Sequence, residues 1–203
     1  MRELMRRRYV YGESKPYDAE VEYVQTSGQQ IIRINCSPVI FTDVVFKFVN
    51  DTTQQRLYCA GTSSIKGFNL YINANRKICA TANSDWGEGI SFTWSAKCRV
   101  RQFGSERYSV VNNLDTGAVK AITHTGFTKL SNLILFKDGL NNYPTAKARL
   151  YNGRFICENG RIIDLISVRI GEQGALYDRS NGEIYMTPTP LFAGPDIGIL
   201  PTT

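Results

Sequence analysis

Two antiparallel β-sheets packed face to face are what this sequence predicts, and three observations predict them. Apolar and polar residues alternate at period two over most of the chain from Glu20 onward. Turn residues recur at spacings that leave room only for short strands. Outside the first few residues, no apolar pattern holds a helical period for three turns, and no internal repeat is present.

The elements follow in order. Val44, Phe46 and Phe48 alternate with Val45, Lys47 and Val49; Phe68, Leu70 and Ile72 alternate with Asn69, Tyr71 and Asn73; Val100 stands between Arg99 and Arg101. Each set predicts a strand with one buried face. Turns are predicted at Asn50-Asp51, Asn73-Ala74-Asn75, Gly87-Glu88-Gly89, Gly104-Ser105, Asn112-Asn113, Asp138-Gly139, Asn159-Gly160 and Asn181-Gly182. Asn-Gly suits a two-residue hairpin turn, because both central residues need positive φ. Residues 146–170 therefore predict a long hairpin about Asn159-Gly160. A second Asn-Gly, at 152–153, falls inside its first strand and predicts a bulge.

Composition sets limits. At 203 residues, with 42% hydrophobic and 21% charged, the chain can build one full core without staples. No stretch approaches the roughly 18 apolar residues of a membrane span. The opening MRELMRRRYVYG has charge but no apolar run after it, and does not read as a secretory signal. Cys36, Cys59, Cys79, Cys98 and Cys157 are odd in number and contain no C-x-x-C pair. They read as reduced, buried thiols, four of them in strands, rather than as disulfides or a zinc site. The formal net charge is +6, and half of that excess lies in residues 1–8, where Arg2, Arg6, Arg7 and Arg8 face only Glu3. The remainder is too mildly basic to argue for nucleic acid.

Residues 1–19 read as a basic tail and linker, residues 20–197 as the folded domain, and 198–203 as a C-terminal tail. In the tail, Arg2, Arg6, Arg7 and Arg8 can pair with carboxylates, while Tyr9 and its apolar neighbours can fill pockets. That composition predicts an anchoring peptide for an acidic protein surface.

Catalytic signals are weak. The single histidine, His124, ends an apparent strand and reads as a surface residue. The paired strand carboxylates of a glucanase, E-x-D-x-x-E, are missing. Glu20 and Glu22 share a strand face, but salt partners such as Arg33 explain them better. No phosphate-binding glycine loop is present. Asn83, Asp85 and Glu88 could offer oxygens to calcium, a thin case, and no metal or other cofactor is expected. Binding is better supported. Trp86, with Asp85 and Asn83 beside it on a Gly-rich loop, is the type of aromatic platform and polar fringe that holds a sugar. Trp94 alternates with Phe92 and Ile90 and belongs to the core. In LYDRSNGEIY, Tyr177 and Tyr185 flank the Asn181-Gly182 turn, and Asp178 is placed to bond amides within it.

Several segments also resemble concanavalin A-like, laminin-G-type jelly-roll domains of phages and mobile elements of gut bacteria. These are VEYVQTSGQQIIRI (21–34), LILFKDGLNN (133–142), AKARLYNGRFICENGRIIDLISVRIGEQGALYDRSNGEIYM (146–186) and LFAGPDI (191–197). The resemblance implies an antiparallel jelly roll whose first and last strands share one sheet, and a virion or cell-surface setting. Thr187-Pro188-Thr189-Pro190 departs from that group and predicts a different loop before the last strand.

Together these imply a non-enzymatic phage virion protein, a head fibre, tail fibre or decoration subunit assembled in the bacterial cytoplasm. Its expected partners are other virion proteins through the tail, further copies of itself (a trimer, by analogy) and a glycan. No membrane partner is expected. A free-standing carbohydrate-binding lectin is the alternative, and a glucanase-like hydrolase is disfavoured.

Overall fold

The computed structural model describes residues 15–60, 67–82, 92–124, 132–137 and 144–199. Its strands, in chain order, are β1 (Ala19–Val21), β2 (Val24–Gln25), β3 (Ile32–Ile34), β4 (Val39–Phe48), β5 (Arg56–Ala60), β6 (Phe68–Ile72), β7 (Ile78–Ala82), β8 (Cys98–Phe103) and β9 (Tyr108–Asn113). Then come β10 (Val119–Thr123), β11 (Leu133–Leu135), β12 (Ala148–Cys157), β13 (Ile162–Ile170), β14 (Gln173–Asp178), β15 (Ile184–Tyr185), β16 (Phe192–Ala193) and β17 (Asp196–Ile199). Among the described residues there is no helix, and so none long and apolar enough to cross a membrane.

The strands form two antiparallel sheets. The larger runs β10-β9-β8-β4-β12-β13-β1-β17, with β2, β14, β15 and β16 attached beside that path; the smaller runs β3-β11-β5-β6-β7. One hydrophobic cluster joins them. Val44, Phe46, Phe48, Val100, Leu150 and Phe155 come from the large sheet, and Tyr58, Phe68, Leu70, Ile72 and Leu133 from the small one. Period-two alternation puts each of these on an inward face.

The β12–β13 connection is a four-residue loop, 158–161, rather than the two-residue turn expected, and of Asn159-Gly160 only the glycine takes positive φ. β12 and β13 pair about Asn159-Gly160, where Gly160 takes φ +83° and Asn159 Oδ1 accepts from Arg161 N at 3.1 Å. Asn73, Asn113 and Asn181 play the same part, each accepting backbone amides two or more residues on through its side-chain oxygen. The bulge expected near 152–153 is one residue earlier: Leu150 and Asn152 oppose the adjacent Phe46 and Val45 of β4, which leaves Tyr151 as the extra residue. All five cysteines are buried and unbridged, and Cys59, Cys79, Cys98 and Cys157 lie in strands.

The single buried face expected of the 68–73 strand does not hold. β6 has both faces buried, as do β5 and β7. Asn69 and Tyr71 alternate as exposed residues would, yet they lie against the buried Arg56. Its Nη1 donates to Asn69 Oδ1 at 3.4 Å, and its guanidinium carbon is 4.7 Å from the Tyr71 ring centroid. Polar residues satisfied by one another can occupy a covered face.

The chain ends meet at one side of the large sheet. β1 lies between β13 and β17 and pairs antiparallel with both. Packing starts before β1: the Tyr17 ring is buried with Val168 and Ala175 and lies 5.0 Å from the Tyr177 ring.

Candidate functional site

The outward face of the large sheet carries most of the accessible chemistry among the described residues. Strand register arranges its side chains in rows that cross the strands. One row is apolar: Ile162, Ile156, Phe41, Phe103 and Tyr108, with Phe103 and Tyr108 stacked at 4.6 Å. The next row alternates in charge: Asp164, Arg154, Asp43 and Arg101. Asp43 is engaged diagonally by Arg99, whose Nε and Nη2 donate to its two carboxylate oxygens at 2.7 and 2.5 Å. That bidentate contact raises the pKa of Arg99. Asp164 is likewise held by Arg179.

Towards the opposite end, Gln25, Arg149 and Lys47 form a third row across β2, β12 and β4. Lys97 directly precedes β8, whose pairing with β4 ends at Phe46 and Cys98. Two tyrosines fill the space around these cations. Tyr151, pushed out of the ladder by the bulge, meets Tyr23 edge to face at 5.5 Å. Lys97 Nζ lies 3.7 Å from the Tyr151 ring centroid, and Arg149 Cζ lies 4.3 Å from that of Tyr23. Arg149 Nε donates to Gln25 Oε1 at 2.8 Å, and Lys97 reaches Glu22 at 3.4 Å. Burial raises the Tyr151 phenol, against a lowering by Arg149.

The backbone beneath holds this cluster in place. Ser167 Oγ donates to Leu150 O at 2.7 Å and accepts from Val24 N at 3.1 Å, so it joins the bulge to β2. Gly194 lies directly against Tyr23: a Cβ there would come within 3.0 Å of the Tyr23 ring and carbonyl. These contacts leave Tyr23 little freedom.

The base of the N-terminal arm is a second feature. Lys15 Nζ and Tyr17 Oη both donate to Glu20 Oε1, at 3.0 and 3.1 Å. Burial alone would raise the Glu20 carboxyl, but Lys15 brings it below its ordinary value. Asp18 Oδ2 accepts from Gly171 N at 2.6 Å. Arg169 spans β13 and β17, donating to both carboxylate oxygens of Asp196 at 3.1 and 2.9 Å and to Gly171 O at 2.9 Å. Glu20 and Glu22 therefore take lysines as salt partners, rather than the expected Arg33.

Among the described residues, a serine–histidine contact lies in the interior. Ser109 Oγ is 2.7 Å from His124 Nε2. Contrary to the surface position expected for it, His124 is buried, and Ser109 is fully so. The pair ends a chain of hydrogen bonds whose other directions can be deduced. Thr81 O can only accept, so Gln102 must turn its Nε2 towards it. Gln102 Oε1 then accepts from Tyr58, and Tyr58 accepts from Thr42 at 2.9 Å. The second Nε2 hydrogen goes to Ser109, whose oxygen also shares a hydrogen bond with His124 Nε2, its direction set by the histidine tautomer. This ladder links the two sheets, Thr42 and Gln102 belonging to the large one and Tyr58 and Thr81 to the small. Asp178 is structural too: its Oδ1 accepts from Asp164 N, Ser180 N and Ser180 Oγ, as the LYDRSNG turn predicts.

The sugar-binding candidates Asn83, Asp85 and Trp86 lie outside the described residues, as does the calcium candidate at Asn83, Asp85 and Glu88. So do the anchoring candidates Arg2, Arg6, Arg7, Arg8 and Tyr9. Trp94 is half-buried against the core. Among the described residues no group of three or more His, Cys, Asp or Glu could hold a metal ion. The Tyr23–Tyr151–Arg149–Lys47–Lys97 cluster was not foreseen. Each member occupies an ordinary polar or turn position in sequence, and only the pairing of β2, β12 and β4 brings them together.

No family model matches this chain, and no curated protein does. Among solved structures, the crystal structure of scytalido-glutamic peptidase with a transition state analog inhibitor aligns over 83% of this chain and 84% of that chain. The identity is 10% and the TM-score 0.33, a likeness too slight to carry an argument.

Proposed function

We propose that this chain is a non-enzymatic structural protein of a phage virion, a head fibre, tail fibre or decoration subunit. In this reading its two sheets form a concanavalin A-like jelly roll that displays a glycan-binding surface, and residues before 15 anchor it to other virion proteins. Sequence resemblance at 21–34 and 133–197 supports the class. The observation that carries the reading is the joint at β1. The arm enters the large sheet between β13 and β17, with Tyr17 buried and Asp18 tied to Gly171. The described base of the arm thereby joins the same sheet that bears the outward face.

Deletion of residues 1–14, which spares Tyr17, is the test. Circular dichroism of the shortened chain should remain that of a folded β protein, while its incorporation into particles should be lost. Incorporation at the wild-type level would overturn the anchoring role. Light scattering of the purified chain checks the expected trimer. The lectin alternative draws on the aromatic and cationic cluster of the outward face, and under it the same deletion leaves sugar binding as the chain's whole activity.

A further inference from the structure

We infer that the cluster of Lys47, Arg149, Lys97, Tyr23, Tyr151 and Gln25 is a binding site for an acidic saccharide, with a carboxylate or sulfate seated between Lys47 and Arg149. The inference rests on the glycan-binding reading above and names the sugar class and the site.

Three observations carry it. First, Arg149 and Lys47 face each other across the β12–β4 ladder, and like charges in that position repel. Neither has a carboxylate within ion-pairing distance among the described residues, and the only acid near the row, Glu22, is taken by Lys97. Arg149 meets neutral groups: the Tyr23 ring, the Gln25 amide and the Tyr151 hydroxyl. Its charge is held in place without being compensated, as an anion site requires. Second, the site is built. A bulge aims Tyr151 into it, Ser167 ties that bulge to β2, and Gly194 makes room for Tyr23. Third, the surroundings select among anions. Each tyrosine already has a cation over its ring, which disfavours stacking by a base or a neutral sugar face. Glu22 and Asp43 share the face, so an unbroken line of phosphates would meet carboxylates. A saccharide with spaced charges meets them with hydroxyl donors instead.

Calorimetric titration of the intact chain should use four probes: a polygalacturonate hexamer, a sulfated oligosaccharide of similar length, a neutral maltohexaose and a single-stranded DNA 20-mer. Binding of one or both acidic saccharides is expected, weakening with added salt and weakening about tenfold in Arg149→Gln and again in Lys47→Gln. Lys47→Gln should also raise the melting temperature without ligand, because it removes a repulsion, so a loss of binding in that variant is not a loss of fold. A merely structural cluster would lose stability instead. Binding of maltohexaose alone, or acidic binding indifferent to both substitutions, overturns the inference and leaves the glycan-attachment reading standing. Binding of DNA alone overturns both. No binding by any probe overturns the inference, and arm-dependent incorporation into particles then decides the virion reading separately.

Discussion

Tyr58 and Gln102 show how one side chain can commit two sheets to each other. The phenol donates across the interior to Gln102 and accepts from Thr42, and burial raises its pKa well above the ordinary value. Tyr58→Phe would leave a buried hydroxyl and a buried amide oxygen without their partner. Urea unfolding should show a loss of about 1–3 kcal/mol. The buried thiols make a second prediction. Burial pushes Cys79 up to about 11 and Cys98 up to about 12, from an ordinary value of 9.0. Above pH 9 the unfolded chain releases these protons while the folded chain retains them. Stability is therefore full below that pH and falls as pH rises, by roughly 1 kcal/mol per pH unit for each thiol. Unfolding midpoints at pH 8, 9 and 10 check this, and Cys98→Ala should flatten the slope. His124 marks where sequence reading stops at this scale. A lone histidine after a strand looks like a surface residue, and only the β8–β9 pairing reveals that Ser109 and Gln102 supply its buried partner.

At the level of strands and turns, the sequence is more legible. Asn73, Asn113, Asn159 and Asn181 mark turns because their side chains bond the local backbone, a short-range rule that needs no tertiary knowledge. The alternation in β4 and β8 likewise follows directly from one covered face. What stays hidden is register, which depends on partners far along the chain. Residues 149 and 47 become neighbours only when β12 meets β4, so the cationic row could not be foreseen. The covered second face of β6 was hidden for a related reason: Asn69 and Tyr71 are polar enough to look exposed until Arg56 is placed beside them. The bulge at Tyr151 yields an element-scale prediction. Ser167→Ala strands both Leu150 O and Val24 N in a buried place. A cost of about 1–3 kcal/mol is expected in thermal or urea melts. Ser167→Thr tests whether the hydroxyl alone suffices.

On the scale of the whole molecule, the two-sheet architecture was legible from periodicity, while the closure by β1 and β17 was implied by resemblance alone. That closure is sensitive to acid. Arg169 holds the Asp196 carboxyl below its ordinary value, so the contribution of this pair is present at neutral pH and is lost as pH falls through the depressed pKa. Arg169→Ala should lower the melting temperature at pH 7 and shrink the difference between pH 7 and pH 3. The position of β1 also has a mechanical consequence. With a bonded neighbour on either flank, β1 pulled along its own axis must slide past two strands at once instead of peeling away from one. Bonds loaded in this way share the strain and fail together. Under the anchoring role proposed above, a load between particle and surface would reach the domain through bonds arranged in this way.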